Sequence, residues 1–474
     1  MTRTNHPGQA RLPRLLVAGL GGDTGKTLVA LGLVRHLVDA GRRPAVFKKG
    51  PDFIDAAWLG AAAREPGRNL DTFMMPPEAV LWSLGRAAGR CHLAVIEGNR
   101  GLFDGLDAAG SHSSAALARL TATPVVLVVD TTKSTRTVAA AVLGCQRLEP
   151  ELDLAGVILN RVGTARQENT IRRAIKDATG LPVLGALPRL ERQVLPARHL
   201  GLVTAREHET SDGALEYLAE AAGRYLDCAA LEDLAGRAGP LPPSVHTRPV
   251  AAAPRRVTIG VLRDQAFTFY YPENLEALEA AGAELVDIDA RHDEQLPALD
   301  ALLAGGGFPE QHAAALANNA ALRGRLRRAV EQGLPVWAEC GGLMYLSQAI
   351  VEQDRVYPMV GALPLRVTRR RRPQGHGYVI ARVDRSNPFL PVGRVIHGHE
   401  FHYSRPAGQV AVDSSVMKLE RGTGLGQGRD GLVVGNVLAC YTHLHALGVP
   451  EWAGALVAAA ARGNLPGRQG ASWA

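Results

Sequence analysis

Short apolar runs recur along this chain, each closing on polar or glycine residues, and helical patterns separate most of them. Leu15–Gly19, Pro44–Phe47, Leu93–Ile96, Val125–Val129 and Gly156–Leu159 read as strands in the first half. Val257–Leu262, Glu284–Ile288, Leu302–Leu303, Pro335–Ala338 and Val437–Cys440 do so in the second. Strand and helix in alternation predict parallel, doubly wound sheets, hence an α/β fold. A length of 474 residues allows two or three domains. The proline-rich stretch Gly236–Pro254 marks a break. The expected division is a domain over 1–232, a linker over 233–254 and a domain over 255–474.

In open α/β sheets, ligands gather outside the carboxyl ends of the strands. Between the first strand and its helix lies Gly19-Leu-Gly-Gly22-Asp-Thr-Gly25-Lys26-Thr27, the context of a P-loop. Backbone amides at Gly22 and Gly25 and the helix N-terminus would hold phosphates. Lys26 would reach the β and γ phosphates, and the Thr27 hydroxyl would bind Mg²⁺. Leu20 stands where the strict pattern has glycine, so the loop is a variant. Gly-Lys-Thr alone could be a glycine-rich turn with a solvated lysine, but the flanking strand and helix weigh for a nucleotide. The second strand ends in Lys48-Lys49-Gly-Pro-Asp52-Phe-Ile-Asp55, either a charged ligand site or a solvated loop with compensating charges. Glu97, directly after an apolar strand, suits a metal ligand, and Gly98–Gly105 suggests a loop over phosphates. Asn160 is placed to read an adenine edge, with helix-capping as the duller alternative.

In the second half, Pro335–Ala338 runs into Glu339-Cys340-Gly341-Gly342 and then a helical pattern. A cysteine on such a turn would expose its sulfur over a helix N-terminus, whose dipole favours the thiolate. A cysteine taken alone is more often simply buried, so a base is needed. His443, at the end of the Val437–Cys440 strand, is that base. Gly305-Gly-Gly307 supplies backbone amides suited to an oxyanion hole. His399, Glu400 and His402 suggest a metal, but on a strand 399 and 400 face opposite ways, which disfavours zinc. Arg369–Arg372 reads as a solvated face or as an attractor of a polycarboxylate. His199, in the Leu195–Leu202 turn, has no assigned role.

Composition narrows the partners. Hydrophobic residues are 46% and charged residues 21%, which is globular. The net charge of +7 comes with only 5% aromatics and no nucleic-acid motif, so an anionic small substrate is favoured over nucleic acid. Five cysteines without metal-like spacing argue for a reducing compartment. Met1–Pro13 is polar, and no apolar run reaches membrane-spanning length, so the expectation is cytoplasmic, with no membrane partner.

Together these residues resemble the cobyrinic acid a,c-diamide synthase family, also called hydrogenobyrinic acid a,c-diamide synthases. The segments Lys49-Gly-Pro-Asp-Phe-Ile-Asp55, Gly101-Leu-Phe-Asp104-Gly, Gly305-Gly-Gly-Phe-Pro-Glu310, Glu339-Cys340-Gly-Gly and Gly398-His-Glu-Phe-His-Tyr403 match in order, over nearly the whole chain. The resemblance implies a dethiobiotin-synthetase-like ATPase domain joined to a class I glutamine amidotransferase domain, with a homodimer allowed. It implies that Cys340 attacks L-glutamine, that His443 serves as base then acid, and that amides near Gly307 and Gly341 hold the oxyanion. It implies an ATP-dependent amidation of the a- and c-acetates of an anionic tetrapyrrole, in cobalamin biosynthesis. Thr27, Asp52 and Glu97 would be the Mg²⁺ partners, and Lys49, Asp55 and Asp104 would line the synthetase site.

Two positions depart from wider patterns. Ordinary class I amidotransferases place a glutamate two residues after the histidine; here His445 stands there, which reduces the expected triad to a dyad. The variant P-loop suggests a divergent branch, which leaves sirohydrochlorin, nickel-sirohydrochlorin or sirohaem as alternative substrates. Cobyric acid synthase is a closer rival, against which the Lys49–Phe53 segment weighs. A P-loop switch ATPase with an inert appended domain is the rival of another class. Gly21, where such switches carry lysine, and the retention of both Cys340 and His443 weigh against it.

Overall fold

A computed structural model of the chain describes residues 11–190, 195, 197–198, 201–202, 211–244 and 257–463. The chain divides into two units, Met1–Thr72 with Pro76–His246, and Phe73–Met75 with Thr247–Ala474. The helix Cys228–Gly236 runs through position 233, where the linker was expected to begin. Residues 245–256 of that region, and His199, lie outside the described residues. Among the described residues no helix is long and apolar enough to cross a membrane.

The first unit is built on seven parallel strands. Their order is Arg68–Leu70, Pro44–Lys49, Leu93–Gly101, Arg14–Gly19, Val125–Asp130, Leu154–Val162 and Val183–Pro188. The first strand in sequence therefore sits between the Leu93–Gly101 and Val125–Asp130 strands. Chain connections diverge there, which opens a crevice at the strand ends. Leu15, Leu16, Val17 and Ala18 are fully buried, as an inner strand covered on both faces requires. The helix Lys26–Asp39 follows the glycine loop directly.

The third strand runs further than its apolar core. It continues from Ile96 through Glu97 to Gly101. Val17 pairs with Glu97 and Gly19 with Gly101, so residues 98–100 bulge out between two pairings, with Arg100 at φ 52°.

The second unit holds a nine-stranded sheet. Five parallel strands come first, in the order Ala283–Ile288, Val257–Leu262, Ala301–Ala304, Val336–Glu339 and Val437–Cys440. Val336 and Ala338 enter one core, while Trp337 enters the core on the other face. This period-two split explains why the run is apolar on every residue. Four antiparallel strands extend the sheet: Arg429–Val434, Ser415–Arg421, Gly375–Val383 and Val395–His402. A separate four-stranded sheet comprises Arg355–Pro358, Ala349–Glu352, Arg366–Arg369 and Ser404–Pro406.

Candidate active sites

The first cluster forms around Glu97. Strand pairing sets Lys48 beside Glu97, and the Lys48 Nζ lies 2.9 Å from Glu97 Oε1 and 2.6 Å from Asp55 Oδ2. Thr27 Oγ1 donates to the same Glu97 oxygen at 2.5 Å. The other oxygen, Glu97 Oε2, is buried and has no hydrogen-bond partner among the described residues. Burial drives the Glu97 carboxyl upward, and Lys48 opposes that shift. For Lys48, burial pulls downward, but Asp55 and Glu97 outweigh it and raise the ammonium well above its ordinary value. Lys26, at the start of the helix, is lowered by burial and by Lys48.

The glycine loop is held from the far side by Asn160. Its Nδ2 donates to Thr24 O at 2.8 Å, and its Oδ1 accepts from the Arg161 amide at 2.9 Å. Gly25 sits at φ 92°, and a Cβ there would lie 2.1 Å from Asn160 Nδ2. The side chain expected to read adenine thus braces the P-loop, because burial obliges its amide to find backbone partners. Gly22 is an exposed turn residue of the same loop.

Other expected residues take structural roles here. Asp52 caps the helix Phe53–Ala63, with Oδ1 accepting from the amides of Ile54 and Asp55 at 2.8 and 2.9 Å. Its carboxyl is pushed up to about 6, by burial first and then by Asp55. Asp104 Oδ2 accepts from the Gly101 amide at 2.8 Å and closes the turn after the bulge. Lys49 faces away from Lys48 along the strand, and its ammonium is lowered by burial, with Asp71 opposing. The lysine that meets Glu97 is therefore Lys48. The sequence did show two lysines at that strand end, and the pairing register decides between them. Among the described residues no three His, Cys, Asp or Glu side chains form a ready metal cluster. Lys48 stands between Asp55 and Glu97 instead.

The second cluster forms around Cys340. The Val336–Glu339 and Val437–Cys440 strands are parallel neighbours, with Glu339 paired to Cys440. Cys340 turns sharply at φ 45° and ψ −94°, and its amide donates to Cys440 O at 2.7 Å. Positive φ at a non-glycine residue is strained, and such strain concentrates at functional turns. The sulfur is not exposed as expected, since Cys340 is only 4% accessible. Its thiol is pushed up by burial, then by Glu310 and Glu339, with the Gly341 amide opposing. The following helix, Gly341–Leu346, has six residues, and its N-terminus does not outweigh burial and two carboxylates.

His443 is 2% accessible and rigidly held. Its backbone exchanges two hydrogen bonds with His399, at 2.8 and 3.1 Å, and the two rings stack with centroids 4.9 Å apart. Burial, then His443, holds His399 well below the usual imidazole range, hence neutral. His443 Nδ1 lies 3.1 Å from Glu339 Oε2. A dyad was expected because His445 replaces the usual acid; the structure brings a carboxylate from the strand before Cys340 instead. His445 turns to Glu273, with Nε2 3.6 Å from Oε2.

The glycine stretch packs against these groups. A Cβ on Gly306 would stand 2.5 Å from His443 Cε1, and one on Gly341 would stand 3.0 Å from the Gly307 nitrogen. The expected pair Gly307 and Gly341 is therefore in close apposition. The remaining motif residues are structural: Glu400 accepts from the amides of Thr423 and Gly424 at 2.6 and 2.8 Å. His402 Nδ1 pairs with Ser404 O at 2.7 Å, and its ring stacks on Tyr441. Arg369 pairs with Glu352, while Arg370–Arg372 are exposed.

Two family models match the chain. Residues 15–203 match the CobQ/CobB/MinD/ParA nucleotide binding domain, and residues 258–450 match the CobB/CobQ-like glutamine amidotransferase domain. Three relatives are each described as a cobyrinate a,c-diamide synthase. That of Magnetococcus marinus is 41% identical, over 94% of this chain and 96% of its own. That of Archaeoglobus fulgidus is 40% identical, over 92% and 95%. That of Salmonella typhimurium is 36% identical, over 96% and 99%.

Proposed function

This chain belongs to the cobyrinate a,c-diamide synthase family, and from that premise we propose that it amidates the a- and c-acetate carboxylates of cobyrinic or hydrogenobyrinic acid, using ATP and glutamine. The observation that carries the glutamine half is a buried cysteine on a strained turn, with an anchored histidine at the end of the adjacent strand. Cys340 Sγ attacks the glutamine carboxamide as its proton passes to His443. The amides of Gly307 and Gly341 hold the resulting oxyanion. His443 returns the proton to the departing nitrogen, ammonia leaves, and water hydrolyses the glutamyl thioester to glutamate.

In the ATP half, a substrate carboxylate oxygen attacks the γ phosphorus and ADP leaves. The product is an acyl phosphate, from which ammonia displaces phosphate. Lys26 faces the phosphates from the helix start. Lys48 keeps charge balance beneath them, against Asp55 and Glu97. The donor set suits a hard, oxygen-seeking cation, since Glu97 Oε2 is buried without a partner among the described residues, beside the Thr27 hydroxyl. Thr27 and Glu97 would hold Mg²⁺, which when bound offsets negative charge on the phosphates.

The test separates the halves. Cys340→Ala should abolish glutamine-dependent amidation and leave ammonia-dependent amidation intact, scored by mass spectrometry of the tetrapyrrole product. Lys26→Ala should abolish both. Equal loss with either nitrogen source in Cys340→Ala would refute separate chemistries.

A further inference from the structure

We propose that Glu339 is the positioning carboxylate of His443, so that a complete triad is built from a new place in the chain. The inference rests on the glutamine half of the function just proposed and assigns it one more residue.

The usual position for that acid, two residues past the histidine, is His445, and His445 faces Glu273 instead. Glu339 occupies the vacated role geometrically. Its Oε2 lies 3.1 Å from His443 Nδ1, and its side chain is 7% accessible. Its other oxygen accepts from Trp337 Nε1 at 2.9 Å. That indole is itself fully buried, with Phe389 and Trp452 packed edgewise at 5.6 and 5.9 Å. Each carboxylate oxygen therefore has its own buried nitrogen partner, which fixes the plane of the group.

The placement follows from the strand. Trp337 and Glu339 are two residues apart, so they share a face. Glu339 is paired with Cys440, three residues before His443 in the neighbouring strand. Cys340, the next residue, takes a positive φ at the turn that ends this strand. One elbow thus carries the nucleophile and the acid side by side in sequence.

The chemistry needs such a partner. Burial, Glu310 and Glu339 hold the thiol protonated, so the reactive thiolate forms only as the proton moves. A carboxylate on Nδ1–H selects the tautomer whose Nε2 carries the lone pair. As attack proceeds, the Sγ–H bond breaks and the proton moves to Nε2. The S–C bond forms, and the carbonyl π pair moves onto oxygen. Glu339 stabilises the imidazolium so formed. On collapse, the Nε2 proton goes to nitrogen and ammonia departs.

The experiment measures glutamate release from glutamine by the full chain, alongside ammonia-dependent amidation. Glu339→Gln should lower kcat for glutamate release roughly 10²- to 10⁴-fold, with KM for glutamine within about twofold. Ammonia-dependent amidation should persist. Placed in a His443→Ala background, Glu339→Gln should cost nothing further, because its effect passes through the imidazole. Glu339→Asp should recover part of the loss, and it decides the matter if the glutamine variant folds poorly. Wild-type kcat in Glu339→Gln, or a further loss on top of His443→Ala, would overturn the assignment. Cys340→Ala run in the same assay tests the underlying reading separately. If it releases glutamate at the wild-type rate, the thiol mechanism itself is wrong, whatever Glu339 does.

Discussion

At the Glu97 strand end the contacts are between formal charges. Lys48 bonds Asp55 and Glu97, Lys26 sits nearby, and Asp52 is held partly toward its neutral form. At the Cys340 strand end the thiol is held neutral, His399 is neutral, and glycines bring backbone against ring. Both clusters stand at the carboxyl ends of parallel strands, so architecture alone does not choose between them. The difference matches the cargo. A polyanion needs buried compensating charge already in place, whereas a neutral amide needs geometry and a proton that moves on demand. The two regions should therefore fail in different ways when damaged.

The largest break should come from Lys48→Met. It leaves Glu97, which is fully buried, and Asp55 without their cation. Removing one partner of a buried ion pair costs about 3–5 kcal/mol. The pH dependence has a definite sign. Burial already raises the Glu97 carboxyl, and loss of Lys48 raises it further. A carboxyl raised in the folded state opposes folding where it must ionise, so the penalty is full at pH 8. It shrinks as pH falls and the carboxyls take up protons. Denaturant unfolding at pH 8 and pH 5.5 measures both; an equal penalty at the two values would mean that the cluster is not held by charge.

The matching break on the other side is Gly306→Ala. Its new Cβ would lie 2.5 Å from His443 Cε1, and Phe269 Cβ is 3.1 Å away. The imidazole must shift, and misplacing a catalytic group by about 1 Å can cost roughly 10²-fold in rate. The expected result is that loss in glutamate release, with ammonia-dependent amidation retained. A parallel fall in both activities would show that the substitution damages more than the imidazole.

The two regions also differed in how much could be read from the sequence. The P-loop was legible because strand, glycine loop and helix are contiguous, so local pattern carries the whole motif. The pairing of Lys48 with Glu97 was not, since it depends on the register between two strands separated by 49 positions. Glu339 is hidden for a similar reason. In the sequence it is only the residue before the nucleophile, and its partner His443 is 104 positions away. His445 marks the place of a missing acid, but only strand order shows which residue replaces it. The sheet's antiparallel half was also hidden. Gly375–Val383 alternates buried and more exposed positions only from Val379 to Val383, and its first four residues do not.

The smallest effect sharpens the comparison at Asp52. This residue belongs to the charged cluster by position, yet its Oδ1 is bonded to two helix amides. Asp52→Ala removes the cap and should cost about 1 kcal/mol of stability, whereas Asp52→Asn keeps a capping oxygen and should cost only tenths. Thermal unfolding of the two variants isolates the structural share. Amidation rates then report the rest. If Asp52→Asn unfolds like wild type but amidates far more slowly, the carboxylate's charge serves the reaction as well as the helix. If its amidation matches wild type, Asp52 is a cap alone, and the charge at this strand end resides in Lys48, Asp55 and Glu97.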